Sequence, residues 1–174
     1  MTPKRIGRHV GGGPEPEEER ERRERTDALK DAFARWASGV SILAVRSGDG
    51  VHALTVSAFV PVSLEPPLVL ASLGPNASAL PYLEEETTFA VSMLTTAQQP
   101  LASRFADTLP VGPSPFPAEG PPVVADALAS LVCEVDELLP RGDHTLVIGR
   151  VRTAATGPDA PALTYYRRDY HSIG

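Results

Sequence analysis

A chain of 174 residues suits one domain with a self-sufficient core, and its 42% hydrophobic and 22% charged content is that of an ordinary globular protein. A net charge of −6 disfavours nucleic-acid binding by phosphate neutralisation, and no segment approaches the roughly 20 apolar residues that span a bilayer. The N-terminus has basic residues but no apolar stretch, so no secretory signal is read there, and a single cysteine, Cys133, excludes an internal disulfide framework; the cytoplasm is the expected location.

Residues 1–14 contain Gly11-Gly12-Gly13-Pro14 and no periodicity, and are expected to be disordered. Glu15 to Arg25 is nearly all charge, with Glu18/Arg22, Glu19/Arg23 and Glu21/Arg25 at i,i+4 spacing, which predicts a solvated helical extension. The reading is thus an N-terminal extension over 1–25 and a folded domain over 26–174. From Thr26 the pattern changes. Leu29, Ala32, Phe33 and Trp36 fall on one helical face, Thr26 or Asp27 can cap its start, and the helix should end near Ser38-Gly39.

Strand patterns follow. GVSILAVR is apolar and β-branched, and SGDG, Ser47 to Gly50, is a hairpin turn. VHALTVSAFVPVS, Val51 to Ser63, reads as one strand with a bend near Ser57-Ala58-Phe59, and PLVLASLG, Pro67 to Gly74, as the next. PNASALPYLEEE opens a short helix, with Ser78 as cap and Pro81 in the first turn. TFAVSML is a further strand, followed by a helix around Gln98 to Ala106. TLPVGPSPFPAEGPPV holds six prolines and reads as a long surface loop. SLVCEVDELL, HTLVIGRVRTA and ALTYYRR complete the strands. Six or seven strands without regular βαβ alternation predict a mainly β protein built as an antiparallel barrel.

Most catalytic motifs are missing: there is no GxSxG elbow, no P-loop and no GxGxxG after a strand. His9, His52, His144 and His171 lack metal-ligand spacing, so no metal is expected, and Cys133 alternates within a strand as a small core residue. What remains is a set of small polar residues. Thr55, Ser57 and Ser63 lie on or beside one strand, and Ser72, Asn76 and Ser78 lie where the next strand enters a helix. A helix N-terminus flanked by Ser and Asn can hold a phosphate without Lys or Arg, and backbone donors from Thr55 to Phe59 can hydrogen-bond a flat heterocycle. Each of these residues alone reads as a cap or turn; their grouping at two strand ends points to a ligand. In PRGDHTLVIGRV, Arg141-Gly142-Asp143 reads as the turn into a strand, with His144 at that strand's mouth.

Six blocks then carry a resemblance: FARWASGVSILAV, VHALTVSAFVPVSLEPPLVLASL, NASAL, PLASRFAD, GDHTLVIGRV and LTYYRRDY. In order and spacing, over roughly Leu29 to Tyr170, the chain resembles the flavin reductase-like, FMN-binding split-barrel family. That resemblance implies an antiparallel split β-barrel with a few flanking helices and an NAD(P)H:flavin oxidoreductase. It implies that Thr55, Val56, Ser57 and Ala58 line the isoalloxazine and ribityl chain, and that Ser72, Asn76, Ser78 and Ala79 take the phosphate. Arg104 and Phe105 would lie near the flavin, His144 would border the nicotinamide as the catalytic candidate, and Tyr170 would stand nearby. The implied cofactors are FMN or FAD with NADH or NADPH, and hydride would pass from nicotinamide C4 to flavin N5. The protein's task is then to stack two rings, which needs no catalytic triad. Reduced flavin would go to a partner flavin-dependent monooxygenase, and a homodimer is implied. Two other readings stay open: an electron-transfer flavoprotein that retains FMN, and a non-catalytic split-barrel binding module.

Overall fold

The computed structural model describes residues 16–48, 50–84 and 87–174. The chain divides into two compact units, one running to Trp36 and the other from Ala37 to Gly174. That boundary lies later than the one expected after Arg25. The disorder expected for residues 1–14 falls outside the described residues.

The first unit contains one helix, α1 (Glu17–Phe33), in which the charged run and the apolar-periodic run are continuous. Thr26 is therefore no cap; its hydroxyl donates to the Arg22 carbonyl at 2.8 Å inside the helix. Glu17, Glu18 and Glu19 in the first turn and Lys30 in the last oppose the helix dipole. The helix ends at Phe33, short of the expected Ser38-Gly39. None of its residues is buried, and Phe33 and Trp36 are 71% and 79% exposed.

The second unit is antiparallel throughout. Its strands are β1 (Ser38–Gly39), β2 (Ser41–Ser47), β3 (Gly50–Val56), β4 (Phe59–Leu64), β5 (Pro67–Leu73), β6 (Thr88–Met93), β7 (Ala129–Arg141), β8 (His144–Thr156), β9 (Ala162–Tyr166) and β10 (Asp169–Ile173). One further α-helix, α2 (Gln99–Ala106), precedes the proline-rich loop. The strands form a seven-stranded sheet in the order β3-β2-β6-β7-β8-β5-β4 and a three-stranded sheet in the order β1-β9-β10.

That order corrects the strand read over Val51 to Ser63. It is two strands, β3 and β4, standing at opposite edges of the large sheet with only Ser57 and Ala58 between them. Three peptide steps from Val56 to Phe59 reach at most roughly 11 Å, so the two edges meet there. A sheet whose edges meet at one end must curl into a barrel. The fold is a split β-barrel.

Residues alternating inward supply the barrel core, among them Leu43, Val45, Val69, Leu73, Phe89 and Val147. A second cluster, with Val40, Ile42, Leu94, Ala102, Phe105 and Leu163, packs on the other face of β2 beneath α2 and β9. Burial on both faces explains why SILAV is continuously apolar instead of alternating. Cys133 is fully buried and desolvation pushes its thiol up to about 12, so it is the unreactive core residue expected. Arg141 pairs with His144, leaving Gly142-Asp143 as a two-residue hairpin turn in which Gly142 takes a φ of 63°.

Candidate functional site

The barrel's closing corner gathers residues from four segments. Phe59 pairs with Ala71, and the Ser72 N–H donates to the Ala58 carbonyl at 2.9 Å, which seats Ser57-Ala58 on the end of β5. On the other side of β5, Ser72 pairs with Leu146 and Leu73 with Thr145, which brings His144 beside Gly74. A Cβ on Gly74 would stand 3.6 Å from His144 Nε2, so that ring lies over the start of the following loop. Ser57, Ala58, Asn76 and His144 are all exposed here.

The loop after β5 folds back along the edge of β3. The Ala77 N–H donates to the Gly74 carbonyl and the Leu80 N–H to the Ala77 carbonyl, both at 3.0 Å. Ser78 Oγ donates to the Ala53 carbonyl at 2.9 Å, and Ala79 is completely buried. The expected helix is therefore only a 3₁₀ turn, Leu80–Tyr82, with Pro81 in its first turn. Ser78 anchors the loop instead of capping a helix, so no helix N-terminus is available for an anion.

Backbone donors take its place. Among the described residues, none accepts a hydrogen bond from the N–H groups of Ser57, Ala58, Asn76, Ser78 or Ala79. Successive unpaired N–H groups in a turn make an anion-binding concavity. Ala79 is completely buried, which closes its N–H to a ligand in this arrangement, whereas Asn76 is exposed and Ser78 half-buried. Donors of this kind are the chemistry that a phosphate would need, and the small side chains of Ser57 and Ala58 leave the main chain uncovered there.

His144 is held by its neighbour. Its Nδ1 lies 2.7 Å from Asp143 Oδ1, and that hydrogen bond, with the charge of the ring when protonated, holds the Asp143 carboxyl below its ordinary value. With Nδ1–H donating to the carboxylate, Nε2 remains to meet a ligand, as acceptor when neutral and donor when protonated. Sequence reasoning did not single out Asp143 or Gly74 for this role. The signal for the first was present in the Asp143-His144 dipeptide; for the second it lies in strand register.

The remaining predicted residues divide. The Thr55 hydroxyl donates to the Ala102 carbonyl at 2.7 Å and Val56 packs into the barrel core, so both offer a ligand only main chain. Arg104 and Phe105 lie on α2, the helix whose Ala102 carbonyl Thr55 bonds, and Tyr170 packs beside it. Arg104 Nη1 donates to the Pro113 carbonyl at 3.0 Å and its guanidinium lies 4.6 Å over the Phe105 ring. Tyr170 meets Tyr165 edge-on at 5.3 Å; burial raises its phenol above the ordinary value, against an opposing hydrogen bond with Ser103. Arg104 and Phe105 line a cavity with Gly50 and Val51 at the start of β3, about 20 Å along that strand from Ser57 at 3.3 Å per residue.

Comparison with known proteins identifies the family. A family model described as "Flavin reductase like domain" matches residues 33–174. The chain is 38% identical over 151 residues to the reductase component of 4-hydroxyphenylacetate 3-monooxygenase of Thermus thermophilus, covering 84% of this chain and 96% of that protein. It is 35% identical over 155 residues to an NADH-dependent flavin reductase of a Rhodococcus species, with 83% and 85% covered. The solved structure of the flavin reductase PheA2 in its native state superposes with a TM-score of 0.77 at 33% identity, over 85% of this chain and 97% of that one. Fold and sequence agree over the second unit, and the chain belongs to the flavin reductase-like family.

Proposed function

We propose that this protein uses NADH to reduce flavin and supplies the reduced flavin to a separate monooxygenase. The observation that carries this reading is the cluster of unpaired N–H groups at Ser57-Ala58, Asn76 and Ser78, met at the same corner by His144. The names of the relatives support the choice of donor and the role of reductase component. When bound, the nicotinamide and flavin rings supply the hydride donor and acceptor.

The chain's own contribution is placement. N–H groups of Asn76 and Ser78 hold the phosphate, and those of Ser57 and Ala58 face the polar edge of the ring. His144 stands exposed at the mouth, with Nε2 directed toward the incoming donor and Nδ1 fixed by Asp143. The test is anaerobic mixing with NADH and then NADPH, using FMN and FAD in turn, while flavin bleaching is followed. No bleaching above the protein-free control with any pair would sink the proposal. His144→Ala is expected to slow bleaching about tenfold, the worth of one hydrogen bond, with flavin affinity and melting temperature unchanged. An unaltered rate would remove His144 from the site.

We further propose that it acts as a homodimer. Val60 pairs with Leu70, and Leu70 with Ile148, on the face of the sheet turned away from the core; Leu68 and Leu146 share that face. Val60 and Val62 are half exposed and Leu64 is 90% exposed. Ser72 lies on the same face, so the apolar patch borders the phosphate cradle. Contiguous exposed apolar surface of this kind marks an interface. Ile148→Asp is expected to raise the dimer dissociation constant about 100-fold, the penalty of burying an unpaired charge. Light scattering that finds the unsubstituted chain monomeric at every concentration would refute the dimer.

A further inference from the structure

The proline-rich loop after α2 roofs a cavity of about 510 Å³ whose walls include Arg46, Val51, Arg104, Phe105, Phe116 and Pro117. That volume lies within the range of small-molecule sites. Two features set the cavity apart from a mere packing gap.

The first is charge. Arg46 and Arg104 both line the cavity, and among the described residues no carboxylate does. The acceptors of the two guanidinium groups are neutral. Arg46 Nε donates to the Gly120 carbonyl at 3.0 Å and its Nη2 to the Pro117 carbonyl at 2.5 Å; Arg104 Nη1 donates to the Pro113 carbonyl at 3.0 Å. Arg104 Nε is buried and, among the described residues, has no partner. Two positive charges that no carboxylate neutralises among the described residues therefore share one cavity in a chain of net charge −6. The planar guanidinium fork matches the spacing of carboxylate and phosphate oxygens.

The second is shape. Phe105 and Phe116 stand 5.6 Å apart at 55°, and prolines 110, 115 and 117 complete an apolar wall. Gly112 closes the loop directly onto the arginine, since a Cβ there would come within 2.7 Å of Arg104 Nη1, and its φ of 136° disfavours any other residue. The backbone is thus shaped to the position of the guanidinium.

We propose that this cavity is a second binding site, distinct from the flavin cradle, for a small molecule in which a flat ring carries an anionic oxygen group. The ring packs against Phe105 and Phe116, and the anion bridges Arg46 and Arg104. An aromatic carboxylate and a nucleotide diphosphate share that chemistry, so the test uses one of each.

Flavin-free protein is titrated calorimetrically with benzoate and, separately, with adenosine 5′-diphosphate; FMN binding is measured alongside. At least one probe is expected to bind at or below about 1 mM, the weak end of specific recognition. Benzoate alone identifies the aromatic carboxylate, and the diphosphate alone identifies the nucleotide. Arg46→Gln is expected to weaken the bound probe at least tenfold while leaving FMN affinity unchanged. Gly112→Ala, which displaces Arg104 without touching Arg46, should also weaken it, and it serves if Arg46→Gln loosens the loop. Failure of both probes to bind, binding unchanged in both variants, or stoichiometric displacement of the probe by FMN would each overturn the second site. Because the readout is binding to flavin-free protein, its failure leaves the flavin reductase reading standing, and the reverse also holds.

Discussion

Asn76→Asp is expected to weaken FMN binding about 100-fold while leaving riboflavin binding unchanged. Asn76 is exposed, and among the described residues its side chain makes no hydrogen bond, so the change removes no contact that supports the fold. It adds a carboxylate beside the unpaired N–H groups of Asn76 and Ser78, where the phosphate is to sit. At an effective dielectric of about 20, a like-charge pair some 5 Å apart repels by about 3 kcal/mol, which is close to a hundredfold in affinity. Riboflavin has no phosphate and serves as the internal control. Equilibrium titration of both flavins decides the matter. Equal losses for the two would mean that the cradle faces the ring system; no loss for either would move the flavin elsewhere.

Gly149→Ala is expected to cost about 1–3 kcal/mol, the usual penalty for forcing an extra methyl group into a packed core. Gly149 lies in β8 between Val69 and Val135. A Cβ there would meet Phe89 Cζ at 2.5 Å and Cys133 Cβ at 3.3 Å. Phe89 is 1% exposed and among the largest wholly buried side chains, so its ring has nowhere to withdraw. For a chain of this size the loss corresponds to a fall of roughly 3–9 °C in melting temperature. Adding Phe89→Leu should recover part of it, because the smaller side chain vacates the contested space. A double-mutant cycle in thermal unfolding reads that coupling directly; strictly additive effects would contradict the contact.

The strands that pair with sequence-distant neighbours are visible mainly through their apolar pattern: β2, β5, β6, β7 and β8 overlap GVSILAVR, PLVLASLG, TFAVSML, SLVCEVDELL and HTLVIGRVRTA, with ends that differ by up to two residues. The failures have local causes. Ser57-Ala58 reads from sequence only as a bend within one strand, since the full break there is imposed by β3 pairing with β2 while β4 pairs with β5. The short helix after Asn76 was over-read because Ser78, a good cap in isolation, is claimed by Ala53 across the barrel's edge. β10 was hidden because its turn is built from Arg167 and Arg168 at φ of 52° and 65°, where sequence reasoning looks for Gly or Asn. The corner residues were readable as small polar groups at strand ends, whereas the pairing of Arg46 with Arg104 depends on a loop path that no periodicity records.

The position of Ser57-Ala58 also bears on how the chain acquires its ligand during synthesis. The hairpins β2-β3 and β4-β5 are local and can form as soon as their residues emerge. Between them in the sheet stand β6, β7 and β8, which are made later. The two early hairpins are tethered by two residues yet cannot be locked into one barrel until the three late strands slide between their far sides. Non-local pairing of that kind is the slow part of β folding. Flavin affinity should therefore arise late and abruptly on the nascent chain, and a ribosome-bound fragment ending before β8 would have the phosphate loop in sequence but no site in space.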